Sequence, residues 1–309
     1  MMDILSTLTQ HLFGSSYGIG QVLFRATPMI LCALGASISF RAGLFNIGLE
    51  GQLLVGSLCG ALAAGALSGV SAWLGLPLVF FCAFLGGSSF ALIAGYLRAK
   101  RNVHEVVSTM MLNFVAIGLT NFVTKVFAVP ETTHTSEIAP HLWAPRLSRA
   151  LGIFEGSAVN ILLFFALALA VLVFYVVYQT RFGLETKAMG HSSVVASYSG
   201  IDIDKRIFQV MALSGGLAAW AGLNFVLGYK HYFEMNFSSG VGFLAIAISL
   251  IAGNHPLIII VVSLFFALLE EAALAVNVHV PKEFIQVLEA AILMGLLFAA
   301  AKKSRLKTA

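Results

Sequence analysis

Charged residues are scarce in this chain, and their scarcity argues against a soluble globular fold. Asp, Glu, Lys and Arg together make up 10% of the 309 residues, whereas soluble domains carry about 25%. Hydrophobic residues make up 59% of the chain, and the mean hydropathy is +0.93. The composition therefore predicts an integral membrane protein whose partner is the lipid bilayer rather than nucleic acid.

Residues and motifs typical of cofactor sites are also rare. The sequence has three cysteines, Cys32, Cys59 and Cys82, and all lie in apolar runs, as small buried hydrophobic side chains do. The eight histidines show no spacing typical of a metal site, and no G-x-x-x-x-G-K-[ST] motif occurs. We therefore expect the chain to bind no cofactor, to bind no ATP phosphates itself and to be no enzyme.

Apolar runs long enough to cross a bilayer recur along the sequence. A membrane-spanning helix needs about 20 mostly apolar residues. The runs predict an all-α, polytopic transmembrane helical bundle that forms a single domain over residues 1–309. The seventh run is short and is followed by Asn254-His255-Pro256, which is typical of a half-helix. The predicted spans are Ile19–Phe40, Glu50–Gly69, Trp73–Leu97, Val106–Val129, Ala158–Tyr178, Ile207–Gly228, Val241–Gly253, Leu257–Val276 and Glu283–Ala301.

The placement of Lys and Arg predicts how the bundle is oriented. Cytoplasmic loops carry an excess of these residues, and here the excess falls in alternate loops that include Thr180–Arg206. This rule predicts a cytoplasmic C-terminus and an extracytoplasmic loop over residues 130–157. The outer loop is either a plain connector or a contact surface for an external partner.

Two pairs of short motifs suggest an internal repeat. Phe40-x-x-Gly43-Leu44 resembles Phe237-x-x-Gly240-Val241, and His104-Glu105-Val106-Val107 resembles Lys282-Glu283-Phe284-Ile285. In the predicted topology the members of each pair lie on opposite sides of the membrane. This placement is typical of the inverted repeats of transporters.

Polar side chains inside the apolar runs are the candidates for a solute path. Such groups are costly in lipid, so they face a wet cavity or bond to a neighbouring helix. Both interpretations stay open for the amides, and a buried carboxylate needs a partner or a cavity. The candidates for the translocation path are Asn46, Glu50, Gln52, Asn113, Asn224 and Glu289.

The segment Asn46–Gln52 is polar and glycine-rich, yet it lies between two apolar runs. Asn46 and Glu50 are four residues apart and flank Gly48, so they share one face if a helix starts here. Either Asn46 caps that helix with Glu50 in its first turn, or the first N–H groups bind a polar group. Both arrangements occur in the broken helices of transporters.

Three segments carry a resemblance to a known family: Phe40–Gln52, Glu105–Asn113, and Thr180–Ile201 followed by Ser214–Ala218. The chain resembles the permease subunits of ATP-binding-cassette importers that carry branched-chain amino acids, ribose-type sugars and nucleosides. It is most similar to the nucleoside-type branch, which pairs with a basic membrane lipoprotein as its receptor. The resemblance implies a location in the bacterial inner membrane.

The resemblance also implies a fold and a set of partners. The fold is that of large-type importer permeases, with about ten helices and a broken helix near the pore. The implied partners are a second, often non-identical permease subunit, a cytoplasmic ABC ATPase that uses ATP and magnesium, and an extracytoplasmic substrate-binding lipoprotein. Residues 180–206 correspond to the coupling loop that docks on the ATPase. The resemblance assigns this contact to Arg181, Gly183, Lys187, Gly190, Ala196, Gly200 and Ile201.

Other functions remain as alternatives beside a nucleoside importer. An ion-coupled secondary transporter would use Glu50 and Glu289, whereas a membrane scaffold or enzyme has no supporting set of residues. The spans contain few fixed charges, which favours a neutral or zwitterionic solute. Riboflavin, a sugar or a branched-chain amino acid would also satisfy these features.

Overall fold

The computed structural model describes residues 14–276 continuously and, further on, residues 287, 290–292 and 294–295. Residues 14–276 form helices joined by turns. The helices are α1 (Ser16–Arg41), α2 (Leu49–Ala66), α3 (Ala72–Arg101), α4 (Glu105–Phe127), α5 (Leu147–Leu151), α6 (Leu162–Gln179), α7 (Arg181–His191), α8 (Ser193–Tyr198), α9 (Ile203–Phe225), α10 (Val241–Ile251) and α11 (Pro256–Val276).

The predicted polytopic helical bundle is confirmed. Seven of the described helices, α1 to α4, α6, α9 and α11, are long and apolar enough to cross a membrane. The seventh predicted span is the half-helix α10, whose 11 residues are too few to cross. Most of the ninth predicted span, Glu283–Ala301, lies outside the described residues, and so does Glu289.

Capping side chains explain where the observed helices depart from the predicted bounds. α9 begins at Ile203 rather than Ile207 because the Asp202 carboxylate accepts a hydrogen bond from the Lys205 N–H at 3.0 Å. α6 begins at Leu162 because the Asn160 side-chain oxygen accepts from the Leu162 N–H at 3.0 Å. Polar caps therefore determine where α6 and α9 begin, which the apolar pattern alone left ambiguous.

The helices differ sharply in how much of their surface lies inside the bundle. In the most apolar window of α1, 89% of the residues are buried, compared with 28% in α4. α1 is therefore the central helix, with α9 packed beside it. α4 leaves most of its apolar surface to lipid or to another protein chain.

The loop predicted to lie outside, residues 130–157, is folded over the turn that follows α9. The Trp143 ring stacks on His231 with 3.8 Å between centroids, and its Nε1 donates to the Ile138 carbonyl at 2.7 Å. Burial, together with the nearby charge of Arg146, lowers the pKa of His231 and favours the neutral ring. His134 stacks on Tyr232 in the same turn. The loop is therefore an ordered cap on the bundle.

Close packing of α3 on α9 depends on two glycines. A Cβ atom on Gly215 would lie 2.5 Å from the Gly87 carbonyl oxygen, and one on Gly87 would lie 2.3 Å from the Gly215 carbonyl oxygen. The two helix backbones therefore touch directly, as small residues allow in membrane bundles.

We expect Gly215→Leu to destabilise the bundle, because a side chain there would have to push two backbones apart. Overpacking a tight interior costs about 1–3 kcal/mol, so a clear fall in Tm should follow in a thermal melt of the detergent-purified protein. Gly118→Leu on α4 is the control, since a Cβ atom there has open space within 4 Å. Equal melting temperatures for the two variants would contradict this account.

Candidate functional site

The chain between α1 and α2 is irregular and lies against the interior of the bundle. α1 ends at Arg41 and α2 begins at Leu49, with Gly43 in the left-handed region at φ +72°. In a membrane the free backbone groups of such a segment need partners within the protein. The contacts of this segment, residues 42–48, show where those partners come from.

One face of α4 supplies most of the partners. Glu105, Thr109 and Asn113 are spaced four residues apart, so their side chains project from one side of the helix. Together they satisfy backbone groups on both sides of Gly48. The bonds are Phe45 N–H to Glu105 Oε1 at 3.4 Å, Ile47 N–H to Thr109 Oγ1 at 3.2 Å, Gly51 N–H to Asn113 Oδ1 at 2.9 Å, and Asn113 Nδ2 to the Ile47 carbonyl at 2.9 Å.

Asn46 and Gln52 form a second set of contacts inside the segment. The Asn46 Nδ2 donates to Gln52 Oε1 at 2.9 Å, and the Gln52 Nε2 donates back to Asn46 Oδ1 at 3.0 Å. Asn46 also donates to the Ser214 hydroxyl of α9 and accepts from the Gly48 N–H. Asn46 has no exposed surface, so its amide holds α2 against α9.

Glu50 binds the beginning of the half-helix α10. Its Oε1 accepts from the Ser238 hydroxyl and from the Gly240 N–H, and its Oε2 accepts from the Gly242 N–H at 2.7 Å. The N-terminus of a helix carries a partial positive charge and unpaired N–H groups, which favour a carboxylate. Glu50 therefore caps α10 from a different helix and is 5% exposed.

The glycines of the first motif pair identified in the sequence both have a positive φ, +72° at Gly43 and +86° at Gly240. Their places differ, because Gly43 follows the end of α1, whereas Gly240 directly precedes α10. The internal repeat and its inverted arrangement therefore stay predictions.

Asn224 lies apart from this cluster. Its Nδ2 donates to the Phe24 carbonyl of α1 at 3.2 Å, and its Oδ1 accepts from Asn160 Nδ2 at 3.0 Å. The side chain is 1% exposed and joins α9 to α1 and to the start of α6. Interhelical bonding, one of the two interpretations of the sequence, is therefore observed for this residue.

The structure thus brings four of the six candidate path residues together. Asn46, Glu50, Gln52 and Asn113 form one buried cluster around the beginning of α2, in which Asn46 bonds to Gln52, Asn113 bonds to the backbone, and Glu50 bonds to α10. Their role in lining a solute path stays a prediction. Sequence reasoning missed four partners of the cluster, although the four-residue spacing on α4 was a usable signal for two of them. The missed partners are Glu105, Thr109, Ser214 and Ser238.

The predicted coupling loop is mostly helical. α6 ends just before Thr180, whose backbone is extended. The Thr180 hydroxyl accepts a hydrogen bond from the Gly183 N–H and so caps the beginning of α7. Residues 181–191, which were expected to form a loop, are therefore helical. A second short helix, α8, follows within the same segment and is closed by Gly200 at φ +84°.

The residues assigned to ATPase contact occupy different environments in this segment. Arg181 and Lys187 are exposed, Ala196 is buried, and Ile201 is half-buried. Gly183 packs against the Val177 carbonyl at the joint between α6 and α7. Leu184, Val194, Val195 and Tyr198 present large apolar side chains to the outside of the bundle.

Comparisons with known proteins decide what this bundle is. Residues 18–300 match the family described as "Branched-chain amino acid transport system / permease component". The chain belongs to this family. It is therefore a transport subunit of an ATP-binding-cassette importer, a multi-pass membrane protein that works with an ATPase and a substrate-binding component.

Named relatives cover most of the chain. It is 32% identical to the guanosine ABC transporter permease protein NupP of Bacillus subtilis over 294 residues, which are 94% of this chain and 83% of that protein. It is 32% identical to the glucose ABC transporter permease protein TsgB13 of Haloferax volcanii, covering 96% and 80%. The nucleoside ABC transporter permease protein NupB of Lactococcus lactis is 29% identical, covering 91% and 79%.

We expect Asn113→Leu to destabilise the permease, because it leaves the Ile47 carbonyl and the Gly51 N–H buried without their partner. Each unsatisfied buried group costs about 1–3 kcal/mol. The measurement is the melting temperature in detergent, with Asn121→Leu as control, since Asn121 is half-exposed on the same helix. If Asn113→Leu melts at the same temperature as the control, the contact between Asn113 and the backbone of residues 47 and 51 is dispensable for stability.

Proposed function

We propose that this chain forms the translocation path of an ATP-driven importer for a nucleoside. The observation that carries the proposal is the similarity, over more than nine-tenths of the chain, to permeases named for guanosine and nucleoside transport. A sugar is the second candidate, because the glucose permease TsgB13 is equally identical. We propose that the path runs beside the cluster of Asn46, Glu50, Gln52 and Asn113, and that Asn224 and Glu289 contribute further along it.

The contacts of Glu50 speak against the ion-coupled alternative. A carboxylate that carries protons through a transport cycle must exchange its partners. Glu50 instead accepts from one hydroxyl and two backbone N–H groups, which together hold the end of α10. Because all three contacts are engaged in holding α10, Glu50 fits a fixed structural role better than that of a proton carrier.

We propose that the assembly contains a second, non-identical permease subunit and an extracytoplasmic lipoprotein receptor. The exposed apolar face of α4, which includes Met110, Phe114 and Phe122, supports a contact with the second subunit. The ordered outer loop supports a contact with the receptor. The chain would lie in the bacterial inner membrane with its C-terminus in the cytoplasm.

The substrate is tested by reconstituting the permease pair with its ATPase and receptor in proteoliposomes. We expect ATP-dependent uptake of labelled guanosine or another nucleoside, and competition by unlabelled nucleosides but not by glucose. The control uses the same vesicles without internal ATP. Uptake of glucose with no effect of nucleosides would reverse the assignment in favour of the sugar.

The surface of α7 and α8 is the proposed docking site for the ATPase. Tyr198 is 89% exposed, and Val194 and Val195 on the same short helix are more than half exposed. Exposed apolar side chains that cluster on a charged segment between two membrane spans are typical of a protein contact surface. Arg181 and Lys187 flank it with positive charge.

We expect Tyr198→Asp to weaken binding of the ATPase by roughly thirtyfold, because loss of a central aromatic contact typically costs about 2 kcal/mol. Pull-down of the ATPase by the detergent-purified permease measures this effect. The control is Ser197→Asp, which adds the same charge at a neighbouring exposed position. If both variants bind the ATPase like the unmodified chain, α8 is not the docking site.

A further inference from the structure

The half-helix α10 is held at both ends by residues that flank a single irregular segment. Glu50 binds its beginning through Ser238, Gly240 and Gly242. At the other end, the Arg41 Nε donates to the Asn254 carbonyl, in the turn after α10, at 2.9 Å. The stretch from residue 41 to residue 50 therefore spans α10 like a brace.

Aromatic stacking strengthens the attachment at the inner end. The Arg41 guanidinium lies 4.4 Å from the centroid of the Tyr178 ring and also donates to its hydroxyl. Tyr178 in turn packs on His255, the residue after Asn254. A guanidinium that stacks and donates in fixed directions is pre-organised for such a junction. The brace thus meets α6 and the turn between α10 and α11 at one point.

The same stretch touches the coupling helix α7 through its backbone. A Cβ atom on Gly190 would lie 2.1 Å from the Arg41 carbonyl oxygen, and one on Gly43 would lie 3.2 Å from the Gly190 Cα. Glycine at both positions allows the two backbones to meet without an intervening side chain. The brace and α7 are therefore in direct backbone contact, and close-packed contacts of this kind transmit strain.

We propose that the contact between Gly190 and the 41–43 turn carries motion of the coupling helices to α10, with Arg41 and Glu50 as positioning residues at its two ends. The inference rests on the proposed docking of an ATPase on α7 and α8. It assigns the relay to residues of this chain and makes α10 the element that responds. By comparison, the peptide chain connects α8 to α10 only through the full length of α9 and the outer turn 231–240.

The test uses the complete importer in lipid nanodiscs, with and without trapping by ATP and vanadate. Hydrogen exchange is followed in peptides that cover α7–α8 and α10, beside ATP hydrolysis and solute uptake. In the unmodified complex we expect trapping to change exchange in both regions. In Gly190→Ala we expect the change in α7–α8 to remain and the change in α10 to be lost. Uptake should fall by about tenfold, within the 5- to 150-fold range of typical coupling, while ATP hydrolysis persists.

Two further variants keep the result interpretable. Gly65→Ala near the end of α2 is the matched control, because a Cβ atom there meets no atom within 4 Å, and it should behave like the unmodified complex. Glu50→Gln keeps the side-chain size but turns an amide toward an N–H donor, so α10 should stop responding although the Gly190 contact is intact. This second variant carries the test if Gly190→Ala fails to assemble.

The outcomes separate the relay from the function on which it rests. If α10 responds to trapping in Gly190→Ala or in Glu50→Gln as it does in the unmodified complex, the relay is wrong. If trapping leaves both regions of the unmodified complex unchanged, the docking proposal falls and the relay falls with it. If both regions respond but no nucleoside is taken up, the substrate assignment alone is overturned.

Discussion

The backbone of residues 42–48 has to find all its hydrogen-bond partners inside the protein, and much of the structure follows from that constraint. Lipid offers no donors or acceptors, and each unmet group there costs several kcal/mol. α4 meets the demand with a row of polar side chains on one face, while its other faces are apolar and exposed. Two of the segments that carry the family resemblance, Phe40–Gln52 and Glu105–Asn113, are thus the two sides of one contact.

The position of Glu50 follows from the length of α10. Eleven residues at 1.5 Å each give about 16 Å, roughly half of the 30 Å apolar core of a bilayer. Arg41 and Glu50 bind opposite ends of this helix, and the chain between them, residues 42–48, is irregular. The irregular segment therefore places a carboxylate deep in the bundle, where the N-terminus of α10 compensates its charge.

The sequence was enough to predict the helices and the family, but not the contacts between the helices. Runs of apolar residues and the proline after Asn254 were enough to find the spans and the half-helix. The helical nature of 181–191 was missed, because a polar, glycine-containing stretch between spans is also typical of a loop. Glu50 was identified as special, yet its partner Ser238 lies 188 residues away, and no local pattern predicts such a contact. Long-range partners of this kind depend on how the helices pack.

The buried polar residues that are predicted to line a solute path also have a structural role in this chain. The amide of Asn46 is hydrogen-bonded to Gln52 and to Ser214, and the amide of Asn113 is bonded to backbone groups. Each of these three amide side chains belongs to a residue that is at most 3% exposed. A buried network that is fully bonded has one well-defined geometry. It therefore holds the beginning of α2 in place, while the half-helix beside it is bonded at both ends and packs Ala245 and Ile248 into the core. In the proposed relay, this fixed beginning of α2 anchors one end of the brace, so a displacement of α7 would act on α10 through the contacts of Arg41 and Glu50.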